Sequence, residues 1–200
     1  VFRRTAEDMS ATIIFADQQL EILDVSSSLK GNYQVKNRKT VLVALEILSK
    51  MFTRINQEEI INGFKNVIDN TNFMGRWQIL NDKPRIIVDT AHNKDGLTEV
   101  LGQLEHEMYS KLHMVIGFVN DKEVDDLLAM FPKQAKFYFC AAKISRALDV
   151  KILLEKAANQ GLMGDGYSSV KDALQAAKES AKESDLIFVG GSTFVVSEVV

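Results

Sequence analysis

The stretch Pro84-Arg-Ile-Ile-Val-Asp-Thr-Ala-His-Asn-Lys-Asp-Gly96 is the most informative part of the sequence. Its apolar run Ile86–Val88 predicts a buried strand, and a helical pattern follows almost at once. Between the two lie Asp89, His92 and Asn93, which bring a carboxylate, an imidazole and a carboxamide into five residues. Open α/β sheets bind ligands at the carboxyl ends of their parallel strands. The stretch therefore predicts a strand of such a sheet with a candidate site at its end.

From Gly75 onward, short apolar runs alternate with segments of helical periodicity. The runs that predict strands lie at 77–80, 86–88, 114–117, 136–140, 161–167 and 185–190. The turn Asn81–Pro84 is so short that the first strand must run antiparallel to the second. Alternating strands and helices indicate βαβ units. The sequence therefore predicts an α/β fold, with a mostly parallel, Rossmann-like sheet of about six strands, one antiparallel edge strand and helices on both faces.

The first 70 residues differ from the rest in the pattern of their apolar residues, which has mainly helical periodicity. A short strand is predicted at Thr12–Phe15, Asn37 is a candidate N-cap of a helix, and Asn56–Glu59 resembles a capping box. The polar segment Asp69–Gly75 separates the mainly helical pattern from the alternating strand and helix pattern. We therefore expect two domains, at residues 1–70 and 71–200.

Composition excludes several classes of function. Lys and Arg total 24 against 27 Asp and Glu, giving a net charge of −3 with the signs interspersed, so neither nucleic acid nor an anionic membrane is an expected partner. The single cysteine, Cys140, excludes an internal disulfide and ends an apolar run, so we expect a buried thiol. The sequence has neither a signal peptide nor an apolar run of the ~20 residues that a membrane span needs. The cytoplasm is the expected compartment.

Four residues are candidates for a site, each with a structural alternative. Asp89 could bind a ribose hydroxyl, a metal or a cation, or it could be the N-cap of the next helix. His92 could position an anion or transfer a proton, or simply bond the turn backbone. Arg76 could reach a phosphate, or be an ordinary surface arginine. Ser192, after two glycines, could hold an anion or cap a helix.

Spacing alone completes no cofactor motif. The sequence contains neither a G-x-x-x-x-G-K-[ST] phosphate loop nor a G-x-G-x-x-G turn after a strand. No metal-ligand spacing is present, and His106 and His113 are interpreted as surface or boundary residues.

The candidate residues nevertheless resemble a known family when they are taken together. Gly75-Arg76, with Arg76 thirteen positions before Asp89, and the run Asp89–Asn93 resemble the "GR … DGAHN" signature of folylpolyglutamate synthase/dihydrofolate synthase, of the Mur ligase superfamily. The segment Gly31–Asn37 is similar to that family's "G-x-H-Q-x-x-N", with Tyr where His is usual. Ile116–Glu123 resembles its "G-x-x-x-DKD" turn, and Gly191-Ser192 its "GS" near the end of the last domain. The resemblance covers essentially the whole chain.

This resemblance implies an ATP-dependent ligase that adds L-glutamate to the γ-carboxylate of folate, or to dihydropteroate, through an acyl phosphate. It implies that Asn37, Arg76 and Asp89 contact ATP and that His92 and Ser192 take part in glutamate handling or ligation. The full-length parent is expected to be a monomer.

The resemblance also implies that much of the enzyme lies outside this sequence. The family's phosphate loop, magnesium ligands and folate site belong to an N-terminal region that the chain lacks, and the chain begins with Val1 in what looks like the middle of an element. Residues 1–70 are therefore predicted to be the tail of the central ATPase domain, residues 71–200 the glutamate ligase domain, and the fragment inactive alone. The competing hypothesis is a non-catalytic α/β module that binds a small anion or a partner protein.

Overall fold

The computed structural model describes residues 1–19, 23–52, 55–120 and 123–200. They form two compact units, one of residues 1–28 and 33–70, the other of residues 29–32 and 71–200. Segment 29–32 belongs to the second unit, where the Asn32 N–H donates to Gln103 Oε1 at 2.7 Å. The assignment of the two parts of the chain to an ATPase tail and a ligase domain stays a prediction.

Before the sheet begins, the described chain is helical. The elements are α1 (Phe2–Asp8), a 3-10 helix (Ala16–Gln18), α2 (Gln34–Ser49), α3 (Gln57–Lys65) and α4 (Val67–Thr71). The predicted capping box is confirmed, because Asn56 Oδ1 accepts from the Glu59 N–H at 3.0 Å and Glu59 Oε2 accepts from the Asn56 N–H at 3.1 Å. The first unit has a small core that includes Val25, Leu42 and Phe64.

Two predictions for the first unit were wrong. Thr12–Phe15 forms no strand. A short apolar run by itself does not distinguish a strand from other structure, and no described strand pairs with this segment. Helix α2 begins at Gln34, so Asn37 lies inside its first turn and is not the N-cap. Asn37 Nδ2 donates to Gln34 Oε1 at 3.0 Å, which occupies the side chain that was expected to cap the helix.

The second unit is built on a six-stranded sheet. The strands are β1 (Gln78–Asp82), β2 (Arg85–Val88), β3 (Leu112–Ile116), β4 (Lys136–Cys140), β5 (Gly164–Tyr167) and β6 (Leu186–Gly190), in the order β1-β2-β6-β3-β4-β5. β1 pairs antiparallel with β2, and every other pair is parallel. The predicted fold class, including the antiparallel edge strand, is confirmed.

Helices cover both faces of this sheet. They are α5 (Lys94–Leu104), α6 (Val124–Leu128), α7 (Val150–Asn159), α8 (Val170–Ser180) and α9 (Thr193–Ser197). Side chains of α8 and α9 pack with Ile86 and Val88 of β2, whereas Ile87 points to the opposite face because side chains alternate along a strand. Two covered faces explain why β2, β3, β4 and β6 are largely apolar and buried. Among the described residues, no helix combines the length and apolar character that a membrane span requires.

Two polar groups lie in the core of the sheet. Cys140 is fully buried, as predicted, and burial raises the pKa of its thiol to about 12. The interpretation of His113 as a surface or boundary residue was wrong, since it is 2% exposed. Its Nδ1 lies 3.0 Å from the Tyr138 hydroxyl and its Nε2 3.4 Å from Asp185 Oδ2. These two partners explain how a polar ring is tolerated in the middle of a covered sheet.

Candidate functional site

The predicted turn lies at the edge of the sheet where the parallel strands end. β2 and β6 are neighbours, with Val88 opposite Val189, so the residues that follow them leave the sheet side by side. The Asp89 N–H extends the ladder by donating to Val189 O at 3.1 Å. The structure thus brings Asp89 next to the chain that leads to Ser192.

Asp89 is a buried bracket for the turn. Asp89 is 2% exposed. Its Oδ2 accepts a hydrogen bond from the Trp77 N–H at 2.7 Å, and its Oδ1 accepts one from the Ala91 N–H at 2.9 Å. Charge-assisted bonds of this kind compensate the burial of a carboxylate. They join the segment before β1 to the turn after β2. The N-cap of α5 is Asn93, not Asp89. A direct contact between Asp89 and ATP stays a prediction.

Arg76 is attached to the segment that Asp89 holds. Gly75, just before it, has φ +77°, and an added Cβ would lie 2.8 Å from Thr90 Cγ2. The Thr90 N–H donates to Gly75 O at 2.9 Å, so this glycine touches the turn directly. The guanidinium carbon of Arg76 lies 5.6 Å from the centroid of the Phe73 ring, and Arg76 is partly exposed. A cationic side chain is therefore held beside the site turn and within reach of solvent.

His92 and Asn93 have different roles in the turn. His92 is exposed, and its Nδ1 lies 3.0 Å from Thr90 O. Because a carbonyl oxygen can only accept, this contact assigns the proton to Nδ1 and leaves Nε2 as the acceptor. Asn93 caps α5, with Oδ1 accepting from the Gly96 N–H at 2.8 Å. The turn thus presents an oriented imidazole from the start of a capped helix.

Ser192 is the N-cap of α9. Its Oγ accepts from the Phe194 N–H at 3.2 Å, and the residue is 3% exposed. Gly191, with φ +87°, makes the sharp turn out of β6. The structural alternative for Ser192 is therefore present, and a catalytic role stays a prediction. Asn37, bonded to Gln34 in the first unit, likewise keeps its ATP contact as a prediction.

Sequence reasoning did not select Arg146, which the structure adds to this edge. It lies in the turn after β4, with its guanidinium carbon 4.9 Å from the Phe194 ring centroid, and its backbone carbonyl accepts from the Asn120 N–H at 2.9 Å. The only available signal was an arginine in a strand-end turn. The segment Ile116–Glu123, which resembles the family's "G-x-x-x-DKD" turn, includes Asp121 and Lys122, which lie outside the described residues.

The described side chains form no evident metal centre. Within residues 1–19, 23–52, 55–120 and 123–200, no three His, Cys, Asp or Glu residues are grouped so that they could hold a metal ion. The described residues therefore offer no such group of ligands for a metal ion.

Comparison with known proteins connects this turn to a family. The sequence model described as "Mur ligase, glutamate ligase domain" matches residues 75–193. The probable bifunctional folylpolyglutamate synthase/dihydropteroate synthase of Haloferax volcanii is 30% identical over 188 residues, which are 92% of this chain and 21% of that protein. The dihydrofolate synthase/folylpolyglutamate synthase of Escherichia coli K12 is 30% identical over 165 residues, 82% of this chain and 36% of the relative.

A solved structure, E. coli FolC in complex with DHPP and ADP, is similar with a TM-score of 0.68 and 27% identity, covering 80% of this chain and 37% of that one. The chain thus spans between about a fifth and about two fifths of these three proteins. Since the family match covers more than half of the sequence and runs from Gly75 to beyond Ser192, the chain belongs to the Mur ligase family through its glutamate ligase domain.

Proposed function

We propose that residues 71–200 are the glutamate ligase domain of an ATP-dependent enzyme that adds L-glutamate to a folate or to dihydropteroate. The observation that carries the proposal is the turn after β2, in which buried Asp89 holds the Trp77 backbone and the exposed His92 has its tautomer fixed by Thr90 O. Relatives named folylpolyglutamate or dihydrofolate synthase support the substrate class.

The proposed reaction has two steps. An oxygen of the substrate carboxylate attacks the γ-phosphorus of ATP, which forms an acyl phosphate and releases ADP. The glutamate amine then attacks the acyl carbon, the C–O bond to phosphate breaks, and an amide, inorganic phosphate and a proton result. Both steps develop negative charge on phosphoryl or acyl oxygens, where a fixed cation stabilises the transition state.

Each site residue has a proposed part in this reaction. The Arg76 guanidinium, held beside the turn, would neutralise phosphate charge, and Asp89 would contact ATP besides fixing the backbone next to Arg76. Nε2 of His92 would accept a hydrogen bond or a proton from the glutamate ammonium group. Ser192 would assist glutamate handling from the neighbouring strand end, and Asn37 would contribute a further contact with ATP.

The remaining parts of the ATP site are proposed to come from residues outside these 200. The 200 residues contain no phosphate loop, and the described ones contain no group of three His, Cys, Asp or Glu residues that could hold a metal ion. We propose that residues 1–70 are the tail of an ATPase domain. A small core, together with Val41, Ile47 and Leu48 at 45%, 40% and 38% exposure, suits a segment that packs against further chain. The 200 residues alone are therefore expected not to catalyse ligation.

The test uses the full-length polypeptide that carries these residues. With ATP, dihydropteroate and L-glutamate, formation of ADP and of the glutamyl product is measured for His92→Ala and for His106→Ala, an exposed histidine outside the turn. We expect His92→Ala to lower kcat/KM for glutamate at least about a hundredfold, as for loss of a positioned proton-transfer group. His106→Ala should be unchanged.

Three outcomes would overturn the proposal. A full-length protein with no glutamate-dependent turnover would favour the non-catalytic binding module. Equal activity of His92→Ala and His106→Ala would show that the turn is not part of the active site. Ligation by the isolated 200 residues would disprove the assignment of essential parts to other residues.

A further inference from the structure

A cavity of about 640 Å³ opens at the edge of the sheet opposite to Asp89 and His92. It is lined by residues at or just before the starts of β3, β4 and β6, among them His113, Lys136 and Asp185. Because these strands are parallel, their starts lie at the edge away from the strand-end turns. The cavity is therefore separate from the proposed ligase site.

Cations dominate the rim of this cavity. Lys111, Lys136 and Lys182 line it, against Glu105 and Asp185 as the only acids among the lining residues. All three lysines are exposed. Lys136 Nζ donates to Ser180 Oγ at 3.0 Å and lies 5.3 Å from the centroid of the Tyr138 ring, whereas the ammonium groups of Lys111 and Lys182 can turn toward a ligand.

The charge of Asp185 is already engaged inside the protein. Oδ1 accepts from the Lys111 N–H at 3.1 Å, Oδ2 accepts from the Lys182 N–H at 2.8 Å, and Oδ2 also lies 3.4 Å from His113 Nε2. These are backbone N–H groups of the lysines, which leave the ammonium groups uncommitted. In the described part of the chain, no ion pair joins the ammonium of Lys111 or Lys182 to a carboxylate.

The rest of the lining suits an organic molecule. Tyr109, Leu112 and Pro132 supply apolar surface, and Ser110 and Gln134 supply hydrogen-bonding groups. The volume lies in the range of about 300–1,000 Å³ that small-molecule sites occupy. Lysine binds phosphate as a point charge without needing a planar partner. From this combination we propose that the cavity is a binding site for a small phosphorylated molecule.

His113 at the base of the cavity supplies an internal reporter. Burial lowers its pKa, Asp185 opposes that shift, and the ammonium groups of Lys136 and Lys111 lower the pKa further. Tyr138, the remaining partner of the ring, is uncharged at neutral pH. A phosphate among the lysines would offset their charge and raise the pKa of His113.

The experiment uses the 200-residue chain with inorganic pyrophosphate at constant ionic strength. Calorimetry measures the affinity, and NMR of the histidine rings follows the pKa of His113 with and without pyrophosphate, using exposed His106 as the internal control. We expect saturable binding, an upward change in the pKa of His113 and none for His106.

Variants locate the site. Lys111→Gln combined with Lys182→Gln keeps the backbone N–H groups that bond Asp185, and should weaken pyrophosphate binding at least about tenfold. Lys151→Gln, an exposed lysine outside the cavity, is the matched control and should bind like the parent. Inorganic phosphate in place of pyrophosphate shows whether one phosphoryl group is enough.

The proposal fails if pyrophosphate leaves the pKa of His113 unchanged, or if the double variant and Lys151→Gln bind equally. It also fails if Arg76→Gln, at the other edge of the sheet, abolishes binding, because the anion would then occupy the strand-end turn. The first two results do not bear on glutamate ligation, and the third would support anion binding at the strand-end turn, so the two proposals can fail independently.

Discussion

Asp89 is a buried residue that holds the backbone of the candidate site in place. Its two carboxylate oxygens accept the backbone N–H groups of Trp77 and Ala91, which lie 12 and 2 residues away. Trp77 has a positive φ of 46°, a conformation that needs support in a non-glycine residue. Its neighbours Arg76 and His92 are partly exposed and exposed, so their side chains are accessible to a ligand.

Replacing Asp89 by Asn should loosen this bracket. An amide has only one acceptor oxygen, so one of the two N–H groups loses its partner, and we expect a loss of about 1.5–3 kcal/mol in the free energy of unfolding. Urea unfolding followed by the fluorescence of Trp77, the single tryptophan, measures it. Asp165→Asn on exposed β5 is the control, expected within about 0.5 kcal/mol of the parent. Equal stability of the two variants would show that Asp89 is not a structural bracket.

Gly75→Ala should destabilise the same region for a steric reason. Its φ of +77° disfavours a side chain, and the new Cβ would meet Thr90 Cγ2 at 2.8 Å and Val196 Cγ1 at 3.0 Å. We expect a loss of about 1–3 kcal/mol by the same urea measurement. Gly102→Ala, in α5 with nothing within 4 Å of the added Cβ, should instead gain about 0.5–1 kcal/mol. A neutral Gly75→Ala would contradict this account of the turn.

At the scale of elements, the site depends on how α5 begins. The helix starts at Lys94, one residue after its cap Asn93 and two after His92. Fraying of the first helical turn would therefore release the backbone that orients the imidazole. Helix start and site turn are one local unit.

The cap makes this coupling measurable. Asn93→Ala leaves the Gly96 N–H without its acceptor, and we expect a loss of about 1 kcal/mol, whereas Asn93→Ser keeps a capping oxygen and most of the stability. Circular dichroism in urea gives the stabilities. Equal losses for Ala and Ser would show that the carboxamide acts by something other than capping.

At the scale of the second unit, His113, Tyr138 and Asp185 tie three strands together. His113 lies on β3, Tyr138 on β4, and Asp185 just before β6, and the latter two bond the two ring nitrogens. Burial depresses the pKa of His113 despite Asp185. Burial alone would raise the pKa of Asp185, but hydrogen bonds from the Lys182 N–H, His113 and the Lys111 N–H lower it overall.

Stability should consequently fall on acidification. Below about pH 6.5 the unfolded chain protonates His113 while the folded chain resists, and below about pH 3.8 Asp185 adds a loss of the same sign. One group contributes a slope of at most about 1.4 kcal/mol per pH unit. Urea unfolding at pH 7.5 and pH 5 should show a smaller decrease for His113→Gln than for His106→Gln. An equal decrease in both would exclude His113 as the cause.

The local features of the site were predictable, and their burial was not. The order Gly75-Arg76, Asp89, His92 and Asn93 is visible in the sequence, as is the antiparallel first strand, because a tight turn permits no other direction. The sequence does not show that Asp89 is bonded on both oxygens, or that Arg146 stacks on Phe194 after a different strand. Except for the bond from Ala91, these contacts join residues that are distant along the chain.

Periodicity and turn chemistry thus determined the α/β class, the strand positions and the turn that carries Asp89 and His92, since each depends on neighbours within a few residues. Only the tertiary structure decided that β6 lies between β2 and β3, so that the chain leading to Ser192 leaves the sheet beside Asp89, and that His113 is a core residue. Strand order and burial arise from long-range packing, in which every apolar strand could pair with several others. The turn from Asp89 to Asn93 could therefore be predicted from the sequence, whereas the residues that surround it depend on the strand order of the sheet.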